Sequence, residues 1–405
     1  MKERVLFYAI AVGVLAGIAL GWFASQTAIS IGWIGDLFLN ALKMLVVPLV
    51  VCSMIEAVSA MSAQARLGVV ARTTIAYYLL TTFVAVVIGL AAVSFLRPGV
   101  GVKIAELASG SPPPVATAGP AAIASSLVTP NLFQAAVQFR ILPLLVFALV
   151  FGLALNAVGE AGRTATAFFV GCNQALLKTV GWLMYAAPLG IAALVAAHLG
   201  KAGGGVAFAR EVTAIAGYFA TVVVGLTVHG LIVLPAILFV ATRRNPRVYA
   251  ANLGEALLTA FSTASSSATL AVTMRLSEER NHIRPQTAEF VLPLGATVNM
   301  DGTALYEAVA AMFIAQATGV ELTWTSQVMI VLTATLASVG AAGIPQAGLV
   351  TMVIVLQAVG LPLEGISAIL AVDWLLDRFR TTVNVWGDTV GAAVVDSRID
   401  SALHP

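Results

Sequence analysis

Long apolar stretches recur along the chain and are separated by short polar segments. Examples lie at residues 5–23, 79–95, 142–155 and 216–240, and several of them reach the roughly 20 residues that a membrane-spanning helix needs. Up to about residue 245 this pattern predicts six spanning helices, with no room for a soluble domain between them.

Beyond residue 245 two apolar segments are interrupted by residues that do not continue a helix. Serine and threonine break residues 253–274 at positions 262–267, and glycine and proline break residues 328–359 at positions 338–348. Each arm gives ~15 to 21 Å of helix, which is too short for a hydrocarbon core of about 30 Å. Non-helical backbone at this depth must be buried in protein or line a wet cavity. The pattern predicts two re-entrant hairpins beside a binding site, and a solvated loop and a linker are the alternatives.

Composition indicates the same class of protein. Of the 405 residues, 60% are hydrophobic and 10% are charged, whereas soluble domains have roughly 25% charged residues. Basic residues concentrate in alternate connecting segments, as they do in cytoplasmic loops, and these residues are Lys2, Arg4, Arg66, Arg72, Arg163, Arg243, Arg244 and Arg247. We therefore expect a multi-pass protein of the cell inner membrane with cytoplasmic N- and C-termini. The net charge of +2 gives no indication of nucleic-acid binding.

Oxygen-bearing side chains interrupt the apolar segment between the two predicted hairpins. Residues 293–307 contain Asn299, Asp301 and Glu307, and the sequence Asn-Met-Asp-Gly at 299–302 is expected to break a helix. Side-chain oxygens beside unwound backbone carbonyls suit a hard cation. The segment therefore predicts a cation site, and a simple helix-capping role for Asp301 is the alternative.

The last apolar segment, residues 366–395, carries charge on one face. At about 100° per residue, an arc of about 80° contains Asp373, Asp377, Arg380, Asn384 and Asp388. Each charge at the centre of a bilayer costs at least ~2.5 kcal/mol, so this face must pair, bind ions or bind substrate. A purely structural ladder of ion pairs is the alternative, although such pairs seldom recover their desolvation cost.

Four sequence motifs follow one another in the second half of the chain. They are Ser265-Ser-Ser-Ala-Thr-Leu270, Asn299-Met-Asp-Gly-Thr-Ala-Leu-Tyr306, Ala341-Ala-Gly-Ile-Pro-Gln-Ala-Gly348 and Asp377-Arg-Phe-Arg-Thr-Thr-Val-Asn384. With these motifs the sequence resembles, over nearly its whole length, the dicarboxylate/amino acid:cation symporter family, which includes glutamate transporters. The resemblance implies an all-α integral membrane protein with eight transmembrane helices and two re-entrant helical hairpins. It also implies inverted repeats, an elevator-type glutamate transporter fold and a homotrimer.

In that fold a static scaffold holds a transport domain that moves through the membrane. By resemblance, the scaffold comprises residues 1–69 and 131–204, and the transport domain comprises residues 70–97 and 205–396. The same division makes residues 98–130 an external loop and residues 397–405 a cytoplasmic tail. The second hairpin is expected to be the outer gate.

The resemblance also implies a binding site for L-aspartate or L-glutamate. Arg380 would bind the side-chain carboxylate of the substrate through two parallel hydrogen bonds, and Asp377 would bind its amino group. The other substrate-binding residues that the motifs imply are Ser265, Ser266, Ser267, Thr303, Ala342, Gly343, Thr381 and Asn384. Arg378 would supply an auxiliary guanidinium, as in the animal transporters.

Sodium ions are the coupling ions that the family implies, and no cofactor is expected. The first sodium site matches Gly295, Asn299, Asn384 and Asp388. The second matches Thr297 and Met300, together with hairpin carbonyls at Ser338, Val339 and Ala341. The third matches Tyr78, Thr81, Thr82, Asn299 and Asp301. Spacing alone would favour core packing for the stretch from Tyr77 to Thr82.

Glu307 matches the carboxylate that the animal transporters protonate during inward transport. An intramembrane glutamate with no obvious fixed cation beside it suits proton carriage. We therefore expect proton co-transport, with potassium counter-transport as an extension. Relatives with this glutamate include proton-only carriers, so the sodium ligands leave both coupling ions open.

Four other functions remain as alternatives. A C4-dicarboxylate carrier would keep Arg380 but needs no ammonium partner such as Asp377, and a neutral amino acid exchanger would lack Arg380. An intramembrane serine hydrolase would need Ser266 and His229 together, but His229 lies in a separate apolar span, where a packed histidine is the simpler interpretation. An ion channel would have no use for the amino acid site.

Overall fold

The structure is a computed structural model that describes residues 2–64, 69–101, 127–138, 140–201, 205–339, 341 and 347–403. Within these ranges every regular element is a helix and no β-strand occurs, so the predicted all-α class is confirmed. The predicted substrate residues Ala342 and Gly343 lie outside the described residues, as does most of the predicted external loop.

The first half of the chain consists mainly of long helices, as the apolar pattern predicts. Their bounds are Lys2–Phe23 (α1), Ser25–Ser30 (α2), Gly32–Gln64 (α3), Val69–Leu96 (α4), Leu132–Val137 (α5), Ile141–Ala157 (α6), Glu160–Leu183 (α7), Ala187–Lys201 (α8) and Gly205–Val228 (α9). A five-residue π-helix, His229–Val233, continues α9 directly into α10, Leu234–Thr242. This irregular turn lies in an otherwise apolar stretch.

The second half contains shorter helices and one long terminal helix. Their bounds are Pro246–Asn252 (α11), Gly254–Thr263 (α12), Ser266–Glu279 (α13), Pro285–Val298 (α14), Asp301–Thr318 (α15), Trp324–Val339 (α16), Ala347–Ala358 (α17) and Ile366–Leu403 (α18). The predicted interruptions at 262–267 and 299–302 therefore separate α12 from α13 and α14 from α15. The last helix continues past its predicted end near residue 395, because no glycine or proline follows until Pro405.

Local sequence explains the two interruptions. Ala264 has a left-handed conformation (φ 52°) and ends α12. Ser265 then begins α13, because its hydroxyl oxygen accepts a hydrogen bond from the backbone N–H of Ala268 at 3.1 Å. At the second break, Asn299 and Met300 leave the helical conformation between α14 and α15. Each break places helix ends, with their unpaired backbone groups, inside the protein.

Two groups of helices form the core. In the first group α1 lies against α8 at Gly13 and Gly17, where an added Cβ would lie 2.5 or 2.6 Å from a carbonyl oxygen of α8. In the second group α15 is central and contacts α4, α9, α16, α17 and α18. Nearly all side chains of α15 are buried, including Asp301 and Glu307. The polar residues of α15 and α18 therefore face other helices.

Four helical stretches among the described residues are long and apolar enough to cross a membrane. They are Ser25–Glu56, Val70–Leu96, Glu160–Lys201 and Val212–Thr242. Shorter apolar helices occur at Tyr8–Phe23, Pro143–Ala157, Trp324–Val339 and Ala347–Ala358. Large apolar side chains such as Leu231 are exposed on several of these helices, as expected for surfaces that contact lipid.

Candidate functional site

The polar face of α18 is buried in the second group of helices. Arg380 has no exposed surface, and its Nη2 donates a hydrogen bond to Asp377 Oδ1 at 2.7 Å. Its Nη1 lies 3.2 Å from Asp373 Oδ1. The guanidinium carbon lies 3.8 Å from the centre of the Tyr306 ring. One buried guanidinium is therefore held between two carboxylates and an aromatic face.

Arg380 also has donors that the described residues leave unused. Neither Nε nor Nη1 has a hydrogen-bond acceptor among these residues, although Nη1 forms the ion pair with Asp373. A Cβ on Gly348, near the start of α17, would lie 2.9 Å from Nη1, so glycine allows the backbone to approach the guanidinium closely. Because a buried donor without an acceptor is costly, this arrangement suits a ligand that brings an acceptor.

Asn384 lies one turn further along α18 and connects this helix to the start of α15. Its Oδ1 accepts a hydrogen bond from the backbone N–H of Gly302 at 2.7 Å, and its Nδ2 donates to Thr303 Oγ1 at 3.4 Å. A Cβ on Gly302 would lie 2.6 Å from the carbonyl oxygen of Arg380, so this contact also requires glycine. The structure thus places Asn384 and Thr303 next to Arg380.

Arg378 attaches the α12–α13 turn to α18. Its Nη1 donates hydrogen bonds to the carbonyl oxygens of Phe261 and Ser262, at 2.7 and 2.5 Å. These carbonyls lie in the last turn of α12 and lack partners within that helix. The guanidinium predicted to be auxiliary therefore bonds to the backbone of the first predicted hairpin.

The predicted substrate residues near this turn differ in their surroundings. Ser265 caps α13 and is buried, as is Ser266, whereas Ser267 is exposed. Thr381 is buried on α18, directly after Arg380. The hydroxyl of Ser265 thus has a structural role that the motif did not predict.

A second polar group lies where α4, the α14–α15 break and α18 meet. Asn299 is at its centre: Nδ2 donates to Asp388 Oδ1 at 3.0 Å, and Oδ1 accepts from Thr81 Oγ1 at 3.4 Å. Thr82 Oγ1 donates to Asp301 Oδ1 at 2.7 Å. All five side chains are buried. The alternative role of Asp301 as a cap is wrong, because Met300 is the N-cap of α15 and no side chain caps this end.

Tyr78 and Gly295 complete this second group. The Tyr78 hydroxyl donates to the carbonyl oxygen of Val291 at 2.7 Å. A Cβ on Gly295 would lie 2.5 Å from Asp388 Oδ1 and 2.7 Å from the Tyr78 hydroxyl oxygen. Oxygen atoms from α4, α14 and α18 therefore converge at a place where no side chain fits. Carboxylate, amide, hydroxyl and carbonyl oxygens are the donors that hard cations prefer.

The residues predicted for the second sodium site are not joined in the same way. The Thr297 hydroxyl donates to the Leu294 carbonyl of its own helix at 3.0 Å. The Ser338 hydroxyl likewise donates within its own helix, to the Thr335 carbonyl at 2.8 Å. Met300, Ser338 and Ala341 are buried and Val339 is half-buried. Among the described residues, therefore, no hydrogen bond connects the two halves of this set.

His229 contacts the second polar group, which neither its position in the sequence nor the family motifs predict. This histidine is fully buried, and its Nε2 lies 2.9 Å from Asp301 Oδ2. It is the first residue of the π-helix between α9 and α10. The prediction of a packed histidine therefore missed a contact with a predicted cation ligand. A lone histidine in an apolar span carries no signal that would have identified its partner.

Glu307 lies on α15, six residues after Asp301, and is fully buried. Its Oε1 accepts a hydrogen bond from the Thr351 hydroxyl on α17. Its Oε2 has no hydrogen-bond partner among the described residues. The glutamate is thus in contact with the second arm of the second predicted hairpin, an interaction that no sequence motif indicates.

Comparison of the sequence with known proteins assigns the chain to a family. The sequence profile of the sodium:dicarboxylate symporter family matches residues 6–398. The chain belongs to that family. It is similar to human excitatory amino acid transporter 3, with 40% identity over 89% of this chain and 78% of the relative. It is also similar to excitatory amino acid transporter 1 of Ambystoma tigrinum, with 38% identity over 89% of this chain and 76% of the relative. An excitatory amino acid transporter of Caenorhabditis elegans has 37% identity over 95% of this chain and 85% of the relative.

Membership in this symporter family makes the chain a membrane transporter and not an enzyme. The structure gives a physical reason against the serine hydrolase as well. A nucleophilic serine needs a base within hydrogen-bonding reach, whereas the Nδ1 of His229, the ring nitrogen not bonded to Asp301, has no hydrogen-bond partner among the described residues. A transporter family thus agrees with the polar side chains that lie buried on α18 and at the break between α14 and α15.

Proposed function

We propose that the protein is a secondary active symporter that moves L-aspartate or L-glutamate across the membrane together with sodium ions. The observation that carries the proposal is the buried guanidinium of Arg380, with unused donors on Nε and Nη1 and with Asp377 at 2.7 Å. A dicarboxylic amino acid has an anionic side chain and an ammonium group, and this pair of residues offers one partner for each. The names of the relatives support the same substrate class.

In this proposal the substrate lies between α18 and the two hairpins. Arg380 holds the side-chain carboxylate, and Asp377 holds the ammonium group. Asn384 and Thr303, which bond to each other at 3.4 Å, bind the backbone end of the substrate. The α-carboxylate is received by the two hairpin tips, through Ser266, Ser267, Ala342 and Gly343, with Thr381 beside them.

Sodium ions are substrates of the same reaction in this proposal. The first site uses Asp388, Asn299 and Asn384 with the backbone of Gly295, and the close approach of Gly295 to Asp388 supports it. The third site uses Asp301, Thr82, Thr81, Asn299 and Tyr78, and the hydrogen bonds among the first four support it. The second site, at Thr297, Met300 and the hairpin residues Ser338, Val339 and Ala341, rests on the motif alone.

Proton co-transport is proposed to use Glu307. The buried carboxyl group has one oxygen bonded to Thr351 and one without a described partner. A proton on this group removes a charge that would otherwise be carried through the apolar layer. Potassium counter-transport is the further step that this branch of the family implies.

The proposed division of the chain into a scaffold and a transport domain is the one that the family implies. Residues 1–69 and 131–204 form the scaffold, residues 70–97 and 205–396 form the moving domain, and three copies assemble. The extensive contacts of α1, α3, α6, α7 and α8 with one another support a scaffold of these helices. The proposal places the eight-helix protein with its two hairpins in the inner membrane, with both termini in the cytoplasm.

Uptake of radiolabelled L-aspartate into proteoliposomes tests the function. Wild type and Asp377→Ala are compared under an inward sodium gradient and, separately, under a proton gradient. Saturable sodium-driven uptake that Asp377→Ala abolishes and that Asp36→Asn, an exposed acidic control, preserves is the expected result. Uptake of succinate that survives Asp377→Ala, with no aspartate uptake, would replace the proposal with a C4-dicarboxylate carrier.

A further inference from the structure

We infer that His229 is a positioning residue of the third sodium site, where its Nε2–H holds the carboxylate of Asp301 in the orientation that binds the ion. The inference rests on the proposed function, because it assigns a residue to a site that the proposal contains. None of the residues named for that site by the family motifs lies on α9 or α10. His229 would add a third helix segment to those that shape the site.

The contacts of Asp301 fix both of its carboxylate oxygens. Thr82 Oγ1 donates to Oδ1 at 2.7 Å, and His229 Nε2 lies 2.9 Å from Oδ2. Asp301 and His229 have no exposed surface, so water does not replace either contact. A carboxylate oxygen accepts more than one hydrogen bond or ion, so each oxygen keeps a lone pair for sodium. Without the histidine, only the bond from Thr82 would hold the carboxylate among these two contacts, and its broad last torsion would no longer be fixed at both oxygens.

The backbone around His229 is built to bring the ring to this place. The π-helix of His229–Val233 adds a residue to one turn of an otherwise α-helical stretch, a deviation that is frequent at functional sites. Trp386 Nε1 on α18 donates to the Gly230 carbonyl oxygen at 2.9 Å. A Cβ on Gly230 would lie 3.3 Å from Val383, so this turn is in close contact with α18.

Packing alone does not account for this histidine. Its Nδ1 has no hydrogen-bond partner among the described residues, so the bond to Asp301 is the one described anchor of the ring. A buried imidazole with an unsatisfied nitrogen is less favourable in an apolar span than leucine. Groups that hold a metal ligand through a hydrogen bond typically change ion affinity by about 10- to 100-fold when they are removed. A positioning role thus explains a polar group that a core position does not need.

The test measures how aspartate binding depends on sodium in purified full-length protein. His229→Leu removes the donor at similar volume, and His229→Gln offers an amide N–H that can reach the position of Nε2. We expect His229→Leu to need about 10- to 100-fold more sodium for half-maximal aspartate binding. The aspartate Kd at saturating sodium is expected to stay unchanged, and His229→Gln is expected to restore most of the sodium affinity.

Two further variants separate positioning from a general effect on folding. His198→Leu replaces another buried histidine, which lies on α8 in the first group of helices, and is expected to leave sodium dependence unchanged. In an Asp301→Asn background, His229→Leu is expected to have little additional effect on sodium dependence, because the bond between His229 and the Asp301 carboxylate has already been altered. If His229→Leu is not recovered folded, His229→Asn replaces it, since the asparagine amide is too short to reach Asp301.

The outcomes distinguish the inference from the proposed function. If wild type binds aspartate in a sodium-dependent way and His229→Leu or His229→Asn has the same sodium dependence as His229→Gln, the inference is overturned while the symporter stands. If wild type binds aspartate equally well without sodium, the proposed coupling itself fails. A large loss of sodium affinity that the glutamine variant repairs supports a positioning role.

Discussion

Four of the buried acidic residues on and beside α18 fall into two regions that balance their charge differently. In the region proposed to bind substrate, called the substrate region, Asp373 and Asp377 share one guanidinium, that of Arg380. In the cation region, Asp388 is bonded to the amide of Asn299, and Asp301 is bonded to a hydroxyl and to an imidazole. No ion pair with lysine or arginine reaches this second region in the part of the chain that the structure describes.

This difference indicates what each region is able to bind. A resident guanidinium with unused donors attracts an anionic group, and the carboxylate beside it attracts an ammonium group. Two carboxylates whose described partners are a hydroxyl, an amide and an imidazole instead leave negative charge without a lysine or arginine to balance it, which is unfavourable at membrane depth unless a cation is bound. One helix face would therefore present the proposed amino acid site and the proposed cation site within a few turns.

The largest effect is expected from Arg380→Gln, which removes the cation of the substrate region. Truncating one partner of a buried charge pair that forms on binding costs about 2–5 kcal/mol of binding free energy, so aspartate affinity should fall by roughly 30-fold or more. Arg378→Gln is the matched control, because it removes a neighbouring guanidinium that donates hydrogen bonds to the carbonyl oxygens of Phe261 and Ser262, and it should leave the substrate preference intact. Binding is measured by isothermal titration of L-aspartate and of L-serine. Retained aspartate affinity in Arg380→Gln would contradict the assignment of the substrate region.

Asp388→Asn should have the next largest effect, this time on sodium. The substitution keeps the shape of the side chain but removes a charge from the cation region, so the sodium requirement should rise by about 10- to 100-fold. Asp373→Asn, which changes a carboxylate in the substrate region, should alter aspartate affinity without changing sodium affinity at saturating substrate. Both are measured as the sodium concentration that gives half-maximal binding. The same sodium response in both variants would remove the distinction between the two regions.

Gly295→Ala probes the close approach that the cation region requires. The new Cβ would lie 2.5 Å from Asp388 Oδ1, so the carboxylate must move away from the position proposed to bind sodium. Overpacking of this kind costs about 1–3 kcal/mol, and we expect sodium affinity to fall by roughly 10-fold. Gly181→Ala is the control, because nothing lies within 4 Å of the added Cβ. Sodium titration of aspartate binding measures both, and an unchanged Gly295→Ala would contradict the proposed first site.

The sequence predicts these two regions to different degrees. Apolar length and the Ser, Gly and Asn-Met-Asp-Gly interruptions locate the helices and their breaks, because such residues end helices locally. The Asp377–Arg380 pair is also local, since residues three apart share a helix face. Thr81 and Asn299 are 218 residues apart, and only the family motifs brought them together.

Neither the local sequence pattern nor the family motifs could assign a role to His229. It lies 72 residues from Asp301, outside the four motifs, and nothing in the apolar pattern marks a π-helical turn. The bond between Thr351 and Glu307 was missed for a similar reason, because Thr351 follows the hairpin motif and its register against α15 depends on tertiary packing. Local sequence patterns predict helices and their ends well, whereas contacts between helices that are distant in sequence depend on the tertiary structure.

Glu307→Gln should separate proton coupling from both regions. The glutamine carbonyl oxygen still accepts a hydrogen bond from Thr351, so the contact with α17 is kept while the titratable proton is lost. We expect aspartate and sodium affinities to change by less than about 10-fold, because neutral isosteres preserve packing. Proton movement during uptake, followed with a pH-sensitive dye inside the proteoliposomes, should disappear. Proton uptake equal to that of wild type would assign the coupling proton to another group.

The smallest functional effect is expected from Asp396→Ala, at the far end of α18. Asp396 Oδ1 accepts hydrogen bonds from Arg284 Nε and Thr287 Oγ1, both at 2.9 Å, so its charge is balanced by an arginine of the α13–α14 connection. Losing hydrogen bonds to a charged group should lower stability by about 1.5–3 kcal/mol, seen as a lower Tm, while aspartate and sodium affinities stay unchanged. Glu160→Ala, which breaks an exposed pair with Arg163, should leave the Tm unchanged. A change in sodium affinity in Asp396→Ala would show that charge balance at this end of α18 also acts on the cation region.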